Sequence, residues 1–178
     1  QAAANFLGVR PEQVYPVGEL AADIPSFCYE TKISKDLMRI TVSKQGGVVY
    51  QIIGSRLVQQ SKLSAKEAMD AAKKFLERKG YTGMRESYYM INNNILTANF
   101  AYVDNKVVCY PDLIKVGIAM DDGSVQSFEA IGYIKSHKQR ELPIAAISLE
   151  TAKSKVPSDI KIIGAETTLI PSAGKNET

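Results

Sequence analysis

LSAKEAMDAAKKFLERKG, residues 63–80, is a helix written with both of its ends. Ser64 and Glu67 stand three apart as a capping box, in which the hydroxyl accepts from the Glu67 amide and the carboxylate accepts from the Ser64 amide. Leu63 before the cap and Ala68 inside it suit a hydrophobic staple. Ala65, Ala68, Met69, Ala72, Phe75 and Leu76 fall at i, i+3, i+4 and i+7 and make one apolar stripe. Lys66 with Asp70, Asp70 with Lys74, and Lys73 with Glu77 are candidate ion pairs on the far side. Arg78 and Lys79 suit the negative end of the helix dipole, and Gly80 supplies a left-handed stop. A helix apolar on one face needs a sheet or another helix to cover it.

That cover is predicted downstream. In LIKVGIAMDDGSVQSFEA, residues 113–130, Ile114, Val116, Ile118 and Met120 alternate with their neighbours, and Asp121-Asp122-Gly123-Ser124 turns the chain. The returning strand is expected to run from Val125 to Ile134, with Phe128, Ala130 and Ile134 on one face. Leu96, Ala98, Phe100 and Tyr102 also stand two apart, and 86–91 supplies a fourth strand ahead of Asn92-Asn93-Asn94. One helix and four mostly antiparallel strands make an α+β layer pair.

The pattern recurs on both sides. Ala2, Ala3, Phe6 and Leu7 repeat the spacing of Ala71, Ala72, Phe75 and Leu76, with Gly8 following as Gly80 does. Strands are predicted over 12–20, 27–33, 36–43 and 48–58, with Gln45-Gly46-Gly47 in the turning role of Asp122-Gly123. Ile53-Gly54 and Ile131-Gly132 fall near equivalent places. Downstream, Ile147-Ser148-Leu149-Glu150-Thr151-Ala152 repeats Leu63 to Ala68, with Thr151 replacing the capping-box glutamate. A connector over 135–146 contains Pro143, Pro157 ends the last helix by Val156, 160–170 resembles a strand, and 171–174 a turn. Three units are thus expected: 1–60 with its front missing, 61–142 complete, and 143–178 with its back missing. A lone helix and strand in the third must pack on the second unit, on another chain, or on residues elsewhere.

Composition is that of an ordinary globular chain, 45% hydrophobic and 23% charged. The net charge of +3 is too mild to imply nucleic-acid binding. Residues 59–140 carry that excess, with 12 Lys+Arg against 9 Asp+Glu. No apolar run approaches the ~18 residues of a membrane span. Cys28 and Cys109 belong to no paired motif and are expected to be two buried free thiols.

A capped, Ala-rich helix followed by strands that turn at DDG-like or QGG-like sites resembles the PepSY domain. The run Tyr110-Pro111-Asp112-Leu113-Ile114-Lys115-Val116 is more specific. So are Phe128-Glu129-Ala130, Gly132-Tyr133 and the stretch 98–103, and together they resemble the YpeB family of germination proteins of spore-forming bacteria, most strongly over 63–142. The resemblance implies tandem PepSY-type units, each a helix on an antiparallel sheet of about four strands. It also implies a non-enzymatic spore protein whose full-length form has an N-terminal membrane anchor. Such a protein resides at the spore inner membrane on the cortex side and stabilises or regulates the cortex-lytic enzyme SleB.

The residues themselves suggest no chemistry. His137 is the only histidine and there is no cysteine pair, so no zinc ligand set is expected. No serine or cysteine stands in a recognisable nucleophile setting for a Ser/His or Cys/His system. Neither a metal nor a cofactor is expected, and Asp121-Asp122 reads as a turn before it reads as a calcium pair. Lys135, His137, Lys138 and Arg140 form a basic cluster, either a solvated connector or a docking surface for an acidic partner or the anionic peptidoglycan cortex. Tyr110-Pro111-Asp112 is expected as an ordered turn. Two other functions stay open: a peptidoglycan-binding module, and a PepSY-type peptidase inhibitor.

Overall fold

The computed structural model describes residues 1–34, 36–142 and 144–171. Pro143 of the expected connector, and the expected turn at 171–174 beyond Pro171, lie outside the described residues. The chain opens with α1 (Ala2–Leu7) and a short 3-10 turn at Pro11–Gln13, then β1 (Val14–Leu20), β2 (Ser26–Ile33), β3 (Asp36–Ser43) and β4 (Val49–Gly54). A second helix and meander follow: α2 (Ala65–Arg78), β5 (Met84–Asn92), β6 (Ile95–Asp104), β7 (Val107–Ala119) and β8 (Val125–Glu129). After these come α3 (Ile131–Ser136), α4 (Leu149–Ser154) and β9 (Thr168–Leu169).

Both ends of α2 form as its sequence directs. The Glu67 amide donates to Ser64 Oγ at 3.3 Å and the Ser64 amide to Glu67 Oε2 at 2.8 Å. At the other end Tyr81 N–H reaches back to Leu76 O and Gly80 N–H to Glu77 O, a Schellman closure that needs Gly80 at φ 83°. Of the three candidate ion pairs on this helix, Lys66–Asp70 closes, at 3.3 Å.

The two meanders fuse. Strand order is β1-β2-β3-β4-β8-β7-β6-β5, so the last strand of each unit pairs antiparallel with the last strand of the other. This seam holds Gln51↔Glu129, Ile52↔Phe128 and Ile53↔Ser127 in register and relates the units by an approximate two-fold. The fold is α+β, with two helix-and-meander units side by side in one sheet. Helix α1 lies over β3 and β4, and α2 over β6 and β7, so each helix covers strands of its own unit. Met38, Ile40, Ile52, Leu96, Phe100, Ile114, Val116 and Phe128 share one continuous core beneath both helices. Phe128 sits at its centre, with ring centroids 5.3 Å from Phe6 and 5.6 Å from Phe75. Neither α1 nor α2 covers the opposite face, where period two puts the cross-strand ion pairs Glu30–Arg39 and Lys115–Glu129.

Three expectations change. The strand predicted to continue through Ile134 stops at Glu129, and Ile131–Ser136 is the helix α3. Phe128, Ala130 and Ile134 fit a period of two by coincidence, because short apolar runs serve helix and strand alike. Gly132 lets α3 approach β7: a Cβ there would lie 3.0 Å from Pro111 O and 3.2 Å from Leu113 O. It is therefore no counterpart of Gly54, which ends β4. Secondly, β7 begins at Val107 and absorbs Tyr110-Pro111-Asp112 as a bulge, since Tyr102 pairs with Cys109 but Ala101 with Leu113. Thirdly, Ser148 caps α4 as predicted, accepting from the Thr151 amide at 3.1 Å, yet no residue of α4 is buried. The strand expected over 160–170 narrows to Thr168–Leu169, parallel to β7 at Val108 and Cys109.

Candidate functional site

The bulge in β7 exists because three residues there have no partner on β6, and Pro111 has no amide to offer one. Its consequence is chemical: Asp112 turns inward and is fully buried. A buried carboxylate needs a counter-charge and several donors. Arg140 supplies both, in fork-to-fork geometry, with Nη1 donating to Oδ2 at 2.8 Å and Nη2 to Oδ1 at 2.7 Å. The Arg140 side chain is itself 5% exposed, and its Nη2 also donates to the Ser136 carbonyl. His137 Nδ1 lies 2.8 Å from Asp112 Oδ2. The imidazole stacks on Tyr133 at 4.1 Å and meets the Tyr102 ring edge-on at 4.6 Å. Burial raises the Tyr133 hydroxyl above its ordinary range, helped by Tyr102 and Asp112.

Four residues of the basic run thus have distinct places. Arg140 and His137 converge on Asp112, and Lys135 leaves for Asp23, 2.7 Å away, whose carboxyl its hydrogen bond holds below the usual range. Lys138 is exposed, and its carbonyl accepts from Arg140 at 3.4 Å. Sequence reasoning missed Asp112 as the organiser. The signal was present in the Tyr110-Pro111-Asp112 run, whose position beside a long apolar strand is compatible with a bulge as well as a turn.

Arg56 makes a second charged knot, this time between the units. Nη1 donates to Asp121 Oδ2 at 2.6 Å, and Nη2 to Asp122 Oδ1 and Ser124 Oγ, both at 2.9 Å. Nε lies 2.9 Å from Asp36 Oδ2, without the alignment of a hydrogen bond. The Asp121 carboxyl is lowered, chiefly by the Arg56 hydrogen bond, and Asp122 also accepts from the Ser124 amide to shape the turn. The acidic pair therefore grips a guanidinium from the other unit. Among the described residues no group of three or more His, Cys, Asp or Glu is placed to hold a metal ion. Cys109 is buried and Cys28 half-buried, both as free thiols, and burial raises the Cys109 thiol.

A cleft of about 340 Å³ opens between α1 and α2. Leu7, Met38, Ile52, Phe75 and Val125 line it, with Asp36, Arg78 and Lys79 at its polar margin. Lys79 is lowered by burial and then by Arg78, and its ammonium sits over the Phe6 ring at 4.8 Å. Among the described residues no histidine or cysteine lines this space.

Residues 1–143 match the family model for the YpeB sporulation protein, PepSY1 and PepSY2 domains. The sporulation protein YpeB of Bacillus subtilis (strain 168) is 28% identical over 142 residues, covering 79% of this chain and 32% of that protein. Its counterpart in Halalkalibacterium halodurans is 26% identical over 124 residues, covering 70% of this chain and 28% of that protein. The chain thus spans about a third of the length of these curated relatives. The solved Bacillus megaterium YpeB C-terminal domain shares the fold, with a TM-score of 0.88 at 24% identity, over 99% of this chain and 80% of that one.

Proposed function

The chain belongs to the YpeB sporulation family, and on that premise we propose that it is a non-enzymatic spore protein that binds and stabilises, or regulates, the cortex-lytic enzyme SleB during dormancy and germination. The proposal includes its location, at the spore inner membrane on the cortex side. The observation that carries the reading is the use made of the charged groups. Arg140 closes on the buried Asp112 with His137 at the solvent side of the pair, and Asp121 and Asp122 close on Arg56. Groups committed in this way fix architecture, and what the molecule offers a partner is surface.

The docking surface we propose is the segment from Lys135 to Arg140. Arg140 and His137 hold its backbone against β7, while Lys135, in an exposed pair with Asp23, and Lys138 lie along its solvent side. Charges in that position steer an acidic partner and orient it more than they bind it.

The test compares spores that make this protein with spores that lack it, and measures how much intact SleB persists through dormancy. SleB is expected to survive only in the first. Equal survival in both sinks the reading. With purified proteins, Lys135→Glu together with Lys138→Glu is expected to slow SleB association by about tenfold at low salt. Pelleting of the chain with purified cortex in the absence of any protein would instead favour direct peptidoglycan binding.

A further inference from the structure

We propose that a second copy of this chain pairs with β5, edge to edge and antiparallel about a two-fold axis at Met90, so that the sheets of the two copies run on as one. Among the described residues β5 ends the sheet, with β6 on one side and no strand on the other. An open strand edge is a row of unpaired amides and carbonyls, which folded chains usually blunt with charge, proline or a bulge. The opposite edge is blunted in that manner. β1 carries Pro16, shifts register between Pro16 and Gly18, and holds Glu19 to Lys44. The irregularity in β5 lies between Glu86 and Tyr88, which leaves Tyr88 to Asn92 regular.

That regular stretch is uncharged and apolar, and Tyr88, Tyr89, Met90 and Ile91 are 46–54% exposed. Tyr88 and Met90 stand on the open face and Tyr89 and Ile91 on the helix side, so both faces are left uncovered. The strand at the seam between units, β4, is likewise uncharged from Val49 to Gly54, and it joins β8 in the same antiparallel, edge-to-edge mode.

The register follows from the hairpin. Asn93 and Asn94, both at positive φ, form a two-residue loop, so Asn92, Met90 and Tyr88 bond to β6. Tyr89 and Ile91 therefore turn their amides and carbonyls outward. A two-fold at Met90 uses the whole regular stretch. It pairs Tyr89 with Ile91 of the second copy through hydrogen bonds, sets Tyr88 opposite Asn92, and brings Met90 against Met90 in the close, non-hydrogen-bonded position. No charge opposes a like charge, and Arg85 is held outside the contact by Glu166. The two-fold makes the contact isologous, with each copy's β5 edge used by the other, so it closes at two copies.

Sedimentation over a range of concentrations tests this. A reversible dimer is expected. Met90→Lys, at a site exposed in the fold and so tolerated by it, is expected to weaken the dimer about tenfold or more by setting two ammonium groups face to face. Val17→Lys on β1 is expected to leave it unchanged. Met90→Cys in a Cys28→Ser background is expected to give a disulfide-linked dimer under mild oxidation, since facing Cα atoms there are about 4.5 Å apart. A chain that stays monomeric overturns the proposal. So does a dimer that persists in Met90→Lys, or one that Met90→Cys does not cross-link.

Discussion

Replacing Arg140 with alanine is expected to cost about 3–5 kcal/mol, because Asp112 would remain fully buried with its counter-charge gone. Chemical denaturation measures that loss, and a change below about 1 kcal/mol would show that water reaches the carboxylate after all. Arg140→Lys should recover little, since a single ammonium cannot reproduce two parallel hydrogen bonds to one carboxylate. Neither half of this pair was legible as such. A lone aspartate after a proline reads as turn chemistry, and an arginine in a basic run reads as surface. Their partnership spans 28 positions and arises only when α3 folds back on β7. The glycine that permits this approach, Gly132, was noticed for its place in a repeat, while its function is the absence of a side chain against the Pro111 carbonyl.

At the scale of elements, α2 and α4 offer the same cap in different surroundings. Ser64 and Ser148 each accept from the amide three residues on. In α2 the cap fixes a helix whose Ala68, Met69, Ala72, Phe75 and Leu76 are buried, whereas α4 buries nothing. Ser64→Ala should therefore lower global stability by about 1 kcal/mol. Ser148→Ala should leave the global transition unmoved and raise amide exchange within 149–155 alone. Equal effects on the global transition would mean that α4 is packed more firmly than its exposure indicates. Elements were legible where two signals agreed, as in α2, with its stripe and both caps, and in β3, with its alternation and a glycine turn. They were misread where one signal stood alone. The alternation at Phe128, Ala130 and Ile134 had no turn to end it at Glu129, and the bulge hid the first half of β7.

For the whole molecule the question is whether two units make two cooperative blocks or one. The repeat is visible in the sequence, but the seam is not. Gln51-Ile52-Ile53 pairs with Ser127-Phe128-Glu129 across a separation no local pattern encodes, and Phe6 reaches from the first helix to a phenylalanine of the second unit. Phe128 touches Phe6, Phe75 and Tyr81, and Phe6 and Phe75 also meet each other edge-on. Its removal leaves a void shared by both helices, at a cost of about 3–5 kcal/mol. If the units fold independently, Phe128→Ala should deprotect β6, β7 and α2 and spare β2 and β3. The continuous core implies the other outcome: slow amides in β2, β3, β6 and β7 should lose protection by the same free energy. Hydrogen exchange followed by fragment mass analysis distinguishes the two. Unequal losses would confine cooperativity to each unit and reduce the seam to three pairs of backbone contact. Equal losses would make the paired meanders one folding body, able to present its sheet edges at a fixed spacing.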